Sequence, residues 1–532
     1  MIARGQNFRQ IPLKICGSSI FGRYPKISTE RTLNMYLSDE SLVDYAGYKT
    51  AIDETVFDGN TEGRGLHTST KLGKLIAVVG TGVYIADLDF DTQNGTVTNV
   101  QVTRIGTLQT STGIVYIAEN NKPQILFSDN TKLYLYDPAV SPMVTTLNVD
   151  FIPGYIDFHD TYFLCAAIQD ATYVPPATNV WRLSNSNDGN VWSNDRAGFI
   201  QTKSDRIQAV VRFPSRGNMI LVMGSTVTEA WFDLGLKIFP YQRNNSMNID
   251  YGCLNPATIA ATDELVVWLG INEKSGPIIV YSTGGMIEKI TTDGIDYLFS
   301  TLSAPEDSQG FLYRQDGHLI YHINFYTDNL SLFYDFNTKK FFNACDDNYN
   351  YFIANEVSFF NNQYYFLTKN NGNLYAFDTQ FTTYDGKEIP RVRICNNIRD
   401  PSQQYFIAND VGFTIETGET PYYIQSTEII PDDIVSEDDD QMIDENNDFN
   451  IIMESGTDSG FLYSTPRVDL SISIDGGATF GNEWSYNLNP LAHRKNRLMW
   501  WQIGAVNDLV CQFKFWGFGR FVAFDGQVNV RQ

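Results

Sequence analysis

Basic residues are scarce in this chain: 38 Lys and Arg stand against 62 Asp and Glu, a formal net charge of −24. A surface of that sign repels phosphate and opposes the counterion release that drives nucleic-acid binding. The balance excludes a protein that grips DNA and leaves one past which DNA slides without sticking. Histidine is scarcer still. His67, His159, His318, His322 and His493 stand in no nucleophile elbow, H-E-x-x-H or triad-like setting, and no phosphate-cradling glycine loop precedes a helix. Cys16, Cys165, Cys253, Cys345, Cys395 and Cys511 are widely scattered, without a C-x-x-C pair or a His at metal spacing, and read as buried free thiols. No apolar run is long enough for a membrane-spanning helix, and residues 1–10 lack the apolar core of a signal peptide, so folding in a reducing cytoplasm is expected. In the stretch 218–270 an apolar stripe at helical spacing is missing too.

What remains is β-structure. Apolar residues make up 43% and aromatics 14%, and flat rings favour pleated, half-buried surfaces, so an all-β chain of two or three domains is expected from 532 residues. The stretch 218–270 reads as one sheet unit, with buried-strand runs at Met219 to Met223 and Leu265 to Leu269 bounded by Gly, Asn, Asp and Pro. Such runs recur near Lys74, Ile125, Tyr162, Met219, Glu264, His318 and Gln363, some 40 to 55 residues apart. Out of phase with them, segments ending at Asp87, Asp137, Asp335 and Asp378 share an apolar–aromatic strand closed by Asp. Sheets repeated at that period predict a β-propeller of six or seven blades over residues 61–390; ordinary hairpins in a sandwich are the alternative. Residues 1–60 read as an irregular N-terminal arm that docks elsewhere, and 391–532 as a smaller C-terminal β domain.

Between positions 400 and 466 there are 16 acidic residues and no Lys or Arg, two thirds of the net charge, densest in an acidic loop at 431–448. Crowded like charges remain solvated, so a mobile loop is expected. Asp444-x-Asn446-x-Asp448 starts like a calcium loop, but Phe449 stands where the turn needs Gly and Ser455 where a bidentate Glu belongs.

Ser473-Ile474-Asp475-Gly476-Gly477-Ala478-Thr479-Phe480 matches the Asp box of propeller hairpins, and residues 186–192 carry a shortened version; both shape turns and carry no chemistry. His159-Asp160 could pair a base with its orienter, yet adjacent strand residues point to opposite faces, which favours a turn. His493-Arg494-Lys495-Asn496-Arg497, followed by Trp500 and Trp501, is the one concentration of cation and aromatic; a nucleic-acid patch is one reading, but stacking platforms sit in electropositive grooves, which favours a turn into a strand or a contact for an acidic partner. No catalytic, cofactor-binding or metal-ligating residue is assigned.

Several segments taken together resemble a known family. Glu30-Arg31-Thr32-Leu33-Asn34-Met35-Tyr36, Arg64-Gly65-Leu66, Thr228-Glu229-Ala230-Trp231-Phe232, Asp250-Tyr251-Gly252-Cys253, Val267-Trp268-Leu269-Gly270 and the end from Arg497 to Gly504 are similar, in order, to packaged-DNA stabilisation proteins, the tail nozzle or hub subunits of short-tailed bacteriophages. The acidic run 431–448 stands outside that pattern. The resemblance implies a propeller-bearing virion tail protein, assembled in the host cytoplasm and without enzyme activity. It implies a homo-oligomeric ring, a hexamer, below portal and adaptor, with a tail needle or plug beyond, tail fibres or tailspikes as neighbours, and DNA passing without sequence-specific binding. The other readings are a carbohydrate-acting, sialidase-like or receptor-degrading propeller enzyme, which needs an arginine triad and several Asp boxes, and a monomeric ligand-binding propeller.

Overall fold

A computed structural model describes residues 8–23, 30–91, 95–213, 217–284, 287–399, 405–417, 466–488 and 495–531. Runs of apolar residues without alternation suit strands covered on both faces, and seven such strands are the second strands of seven antiparallel sheets. They are Lys74–Val79, Ile125–Ser128, Tyr162–Asp170, Met219–Gly224, Val266–Ile271, His318–Phe325 and Gln363–Thr368, in blades 1 to 7 of a propeller. Met219–Gly224 and His318–Phe325 are buried at every position. Each gap between successive blades holds its own apolar cluster, as where Trp181 and Trp231 meet edge to face at 5.4 Å between blades 3 and 4. The seven sheets decide between six and seven blades.

The Asp-ended segments are the third strands. Three of their carboxylates bond the turn that follows: Asp335 accepts from Asn337 N at 3.0 Å and Thr338 Oγ1 at 2.6 Å, Asp378 from Gln380 N at 2.8 Å and Asp137 from Ala139 N at 3.1 Å. Asp87 differs, because its strand runs on to Asp91 and its carboxylate pairs with Lys74 on the neighbouring strand. The stretch 218–270 is not one sheet. Its first half completes blade 4 and its second half opens blade 5, because after Tyr241–Ile249 the chain steps to Gly252–Cys253, which pairs with Val266–Ile271.

Residues from the first sixty are woven through the fold. Gly47–Ile52 pairs with Leu374–Asp378 as the outer strand of blade 7, so a strand from before blade 1 closes the propeller. Just ahead of it, Tyr45 wedges between blades 6 and 7, stacked on Phe333 at 4.4 Å with its hydroxyl 2.8 Å from His322 Nδ1. Phe8–Leu13, Met35–Ser38 and Ser41–Asp44 join one sheet of a C-terminal sandwich with Phe406–Thr417, Lys495–Val506, Phe521–Ala523 and Gly526–Arg531. The opposing sheet is Arg31–Leu33, Arg391–Ile394, Asp508–Trp516, Arg467–Ser473 and Trp484–Asn487. It runs on from blade 6, since Leu33 pairs in parallel with Asn343 of that blade's outer strand. Phe413, Trp500, Phe513 and Phe515 fill the core between the two sheets. The one α-helix among the described residues, Asp293–Ser300, links blades 5 and 6. No described helix is long and apolar enough to cross a membrane.

Candidate functional surfaces

The first strands of the blades surround the propeller axis, which is narrow. Leu66, Tyr116, Tyr155, Ile259, Gly310 and Glu356, each from a different blade or its leading turn, converge on a cavity of about 140 Å³. A duplex whose grooves alone are about 6 to 12 Å wide cannot enter it. Glu356 lines the cavity and is part-buried there. Burial pushes its carboxyl up to about 8, against which the Gln309 amide, donating at 2.8 Å, pulls back only weakly. At one mouth Glu119 behaves oppositely. Burial would raise it, but His67, 3.8 Å away, and hydrogen bonds from Ser69 Oγ (2.5 Å) and Thr70 N (3.1 Å) hold it at about 2, and these contacts tie blade 1 to blade 2. Nothing in the sequence distinguished Glu356 from other strand glutamates, because its signal is the convergence of distant strands.

The histidines have structural partners. His159 sits 2.8 Å from Tyr241 Oη and 3.0 Å from Gly217 O, while Asp160 occupies the turn at φ 56°. His318 holds Asp335 at 2.9 Å; burial pushes His322 down to about 3, leaving it neutral against Phe311. His493 and Arg494 lie outside the described residues, as do the acidic run 431–448 and Asp444, Asn446 and Asp448; Lys495 to Trp501 is the first half of the strand Lys495–Val506. All six cysteines are buried thiols. Asp475 shapes its hairpin, accepting from Ser473 Oγ at 2.6 Å and Thr479 Oγ1 at 2.7 Å, bonds that hold it below the usual carboxylate range.

The fully buried arginines do not converge into a sialidase-type triad. Arg64 donates to Gly80 O (2.8 Å), Thr110 O (2.7 Å) and Gly113 O (2.6 Å) beside blade 1, and Arg182 pairs with Asp170 at 2.6 Å within blade 3. Arg391 meets Asp44 at 2.8 Å. Arg393 donates to Glu30 (2.7 Å), Lys14 O, Ser18 O and Thr32 Oγ1 (each 3.1 Å).

The segments that carry the family resemblance therefore mark seams. Glu30 to Tyr36 is the joint between propeller and sandwich: besides Glu30 and Thr32 on Arg393, Asn34 Oδ1 accepts from Cys345 N at 2.9 Å and its amide donates to Pro390 O at 2.8 Å. Gly252 fits where a Cβ would lie 2.3 Å from the backbone of Ser225, and Trp268 Nε1 donates to its carbonyl at 3.1 Å. Glu229, wholly buried, accepts from Gln201 N (2.8 Å), Thr202 N (2.6 Å), Thr202 Oγ1 (2.7 Å) and Trp231 Nε1 (3.1 Å), fastening the link between blades 3 and 4. Glu229→Ala orphans these donors and should cost about 3 kcal/mol, read as a lower denaturant midpoint; Glu229→Gln, which keeps an acceptor oxygen, should cost less.

A family model described as "Bacteriophage P22 Gp10, beta-propeller" matches residues 54–382, and one described as "Bacteriophage P22 Gp10, beta-sandwich" matches 434–531. The second match begins inside the acidic run 431–448, which corrects the expectation that this run stands outside the family's pattern. No curated protein matches. Among solved structures, virginiamycin B lyase from Staphylococcus aureus is similar at 11% identity and a TM-score of 0.42, over 63% of this chain and 99% of that one. PorZ of Porphyromonas gingivalis is similar at 13% and 0.35, over 62% of this chain and 37% of that one. The computationally designed Ika8 is similar at 10% and 0.34, over 62% of this chain and 100% of that one.

Proposed function

Because the chain belongs to the family of bacteriophage P22 Gp10, the packaged-DNA stabilisation proteins of short-tailed phages, we propose that six copies close into a ring below portal and adaptor. The protein is a structural component of the phage tail that stabilises packaged DNA. In the proposed ring the lumen between copies is the path for genome ejection. A tail needle or plug lies beyond it and tail fibres or tailspikes beside it, and the ring is put together in the host cytoplasm. The observation that carries this reading is the narrow propeller axis, whose cavity of about 140 Å³ is too small for a duplex to pass through a single copy. A conduit for DNA must then lie between protomers. The net charge of −24 supports a lumen that DNA passes without sequence-specific adhesion, and the protein acts there without catalysis.

The test is the mass of the purified protein alone and after mixing with the portal and adaptor complex of its phage, by native mass spectrometry or light scattering. A closed ring of six in either setting is expected. A strict monomer that ignores the portal and cleaves a sialoside would overturn the proposal, and an electropositive lumen in the assembled ring would remove the argument from charge.

A further inference from the structure

Two unlike apolar surfaces stand on opposite sides of the chain. The first is on the propeller. Antiparallel strands put the turns after the first and third strands of each blade on the same face. On that face the third-to-fourth turns of blades 2, 3 and 4 expose, in order, Val140 and Met143, then Val191, then Leu234, Leu236 and Ile238, the last three each more than half exposed. Three consecutive blades thus form one aliphatic arc. Asp188, Asp195 and Asp233 flank these side chains, with Lys237 the exposed cation among them. Asp195 has no hydrogen bond or ion pair among the described residues.

The second surface is on the sandwich. Trp484–Asn487 and Lys495–Val506 are the outermost strands of the two opposing sheets, joined where Trp500 Nε1 donates to Trp484 O at 3.0 Å, and each has one edge unpaired among the described residues. Trp501 (64% exposed) and Trp484 stand out there, with Ile407 towards one end of the strand pair and Arg497 and Lys495 towards the other. The Arg497 side chain has no hydrogen bond or ion pair among the described residues. Open strand edges bearing aromatic side chains are templates for association unless something covers them.

Their placement is informative. The sandwich grows from blades 6 and 7, and in a circle of seven, blade 3 lies across the axis from that junction. The arc centred on blade 3 therefore faces away from the sandwich.

We propose, resting on the ring reading above, that these surfaces are the two halves of one subunit contact: the sandwich edge of one copy seats on the blade 2 to 4 arc of the next. Patches that differ and lie on opposite sides cannot make a two-fold dimer; they pass the contact on from copy to copy until a ring closes. The charges agree, since Arg497, with Lys495 beside it 3.8 Å from its own Glu416, meets turns richer in Asp than in Lys or Arg.

The experiment uses Leu236→Asp, which disables the arc, and Trp501→Asp, which disables the edge. Both positions are exposed, so melting curves should match the parent's. Native mass spectra are taken where the parent chain assembles, alone or on portal and adaptor. Each variant by itself should remain at 60.2 kDa. Mixed in equal amounts, they should form pairs of twice 60.2 kDa and nothing larger, because a pair joins the one sound edge to the one sound arc and leaves two disabled surfaces outside. If the parent assembles and either variant still does so alone, or the mixture stays monomeric, this contact is wrong while the ring stands. If the parent associates in neither setting, the ring reading itself falls.

Discussion

Arg393→Met should unfold at a much lower denaturant concentration than the parent chain, by the equivalent of about 3–5 kcal/mol. The guanidinium is fully buried, and its four partners, Glu30, Thr32, Lys14 O and Ser18 O, all lie on the segment that threads from sandwich to propeller. Removing it leaves the largely buried carboxylate of Glu30 without its cation and frees two carbonyls from their donor at once. Methionine fills most of the volume, so the loss reports the polar network rather than a cavity. Arg393→Lys should fall between, because an ammonium keeps the charge but cannot span the fork of acceptors. Hydrogen exchange locates the effect: protection should fall first in residues 14–20 and 30–34 and last in blades 2 to 4. Equal loss of protection across all blades would show that Arg393 does not act at the seam.

Glu356 should make the protein less stable as pH rises, and Glu356→Gln should remove that dependence. In the unfolded chain the carboxyl ionises near its ordinary 4.5, whereas in the folded protein it keeps its proton to about 8. Between those values the folded state binds more protons than the unfolded one, so stability declines across pH 4.5 to 8 and levels off on either side. Each pKa unit is worth about 1.36 kcal/mol, which sets a ceiling of roughly 5 kcal/mol on the decline. Glutamine retains an oxygen for the Gln309 amide and carries no charge into the cavity beside Tyr116 and Tyr155. Denaturation midpoints of parent and variant should coincide below pH 4.5 and diverge as pH rises through 8, with the variant the more stable. Parallel curves would mean that water or a shift of the strand solvates the carboxylate.

Much of this architecture was legible before any coordinates, because short-range physics writes it locally. A run such as Met219 to Met223 must be covered on both faces wherever it lies, an Asp at the end of a third strand bonds the turn it precedes, and Ser473 to Thr479 closes its own hairpin. These features fix strand content, the repeat and the scattered buried thiols. Fold class and family reading followed from them and from the ordered motif segments, which the matches at 54–382 and 434–531 bear out.

What local pattern could not supply is partnership across distance. That Gly47–Ile52 closes blade 7, that Phe8–Leu13 lies beside Gly526–Arg531, and that Arg393 gathers acceptors from residues 14 to 32 depend on pairing between strands hundreds of positions apart. Alternation and apolarity tell a strand which face to bury, but a backbone N–H carries no record of which carbonyl it will meet. The same holds for Glu356 and for the two opposed surfaces. The sequence by itself determined the strands, their turns and the acidity of the surface; only the tertiary structure decided seven blades, a narrow axis and which exposed side chains face away from one another, because those follow from how the sheets close on themselves.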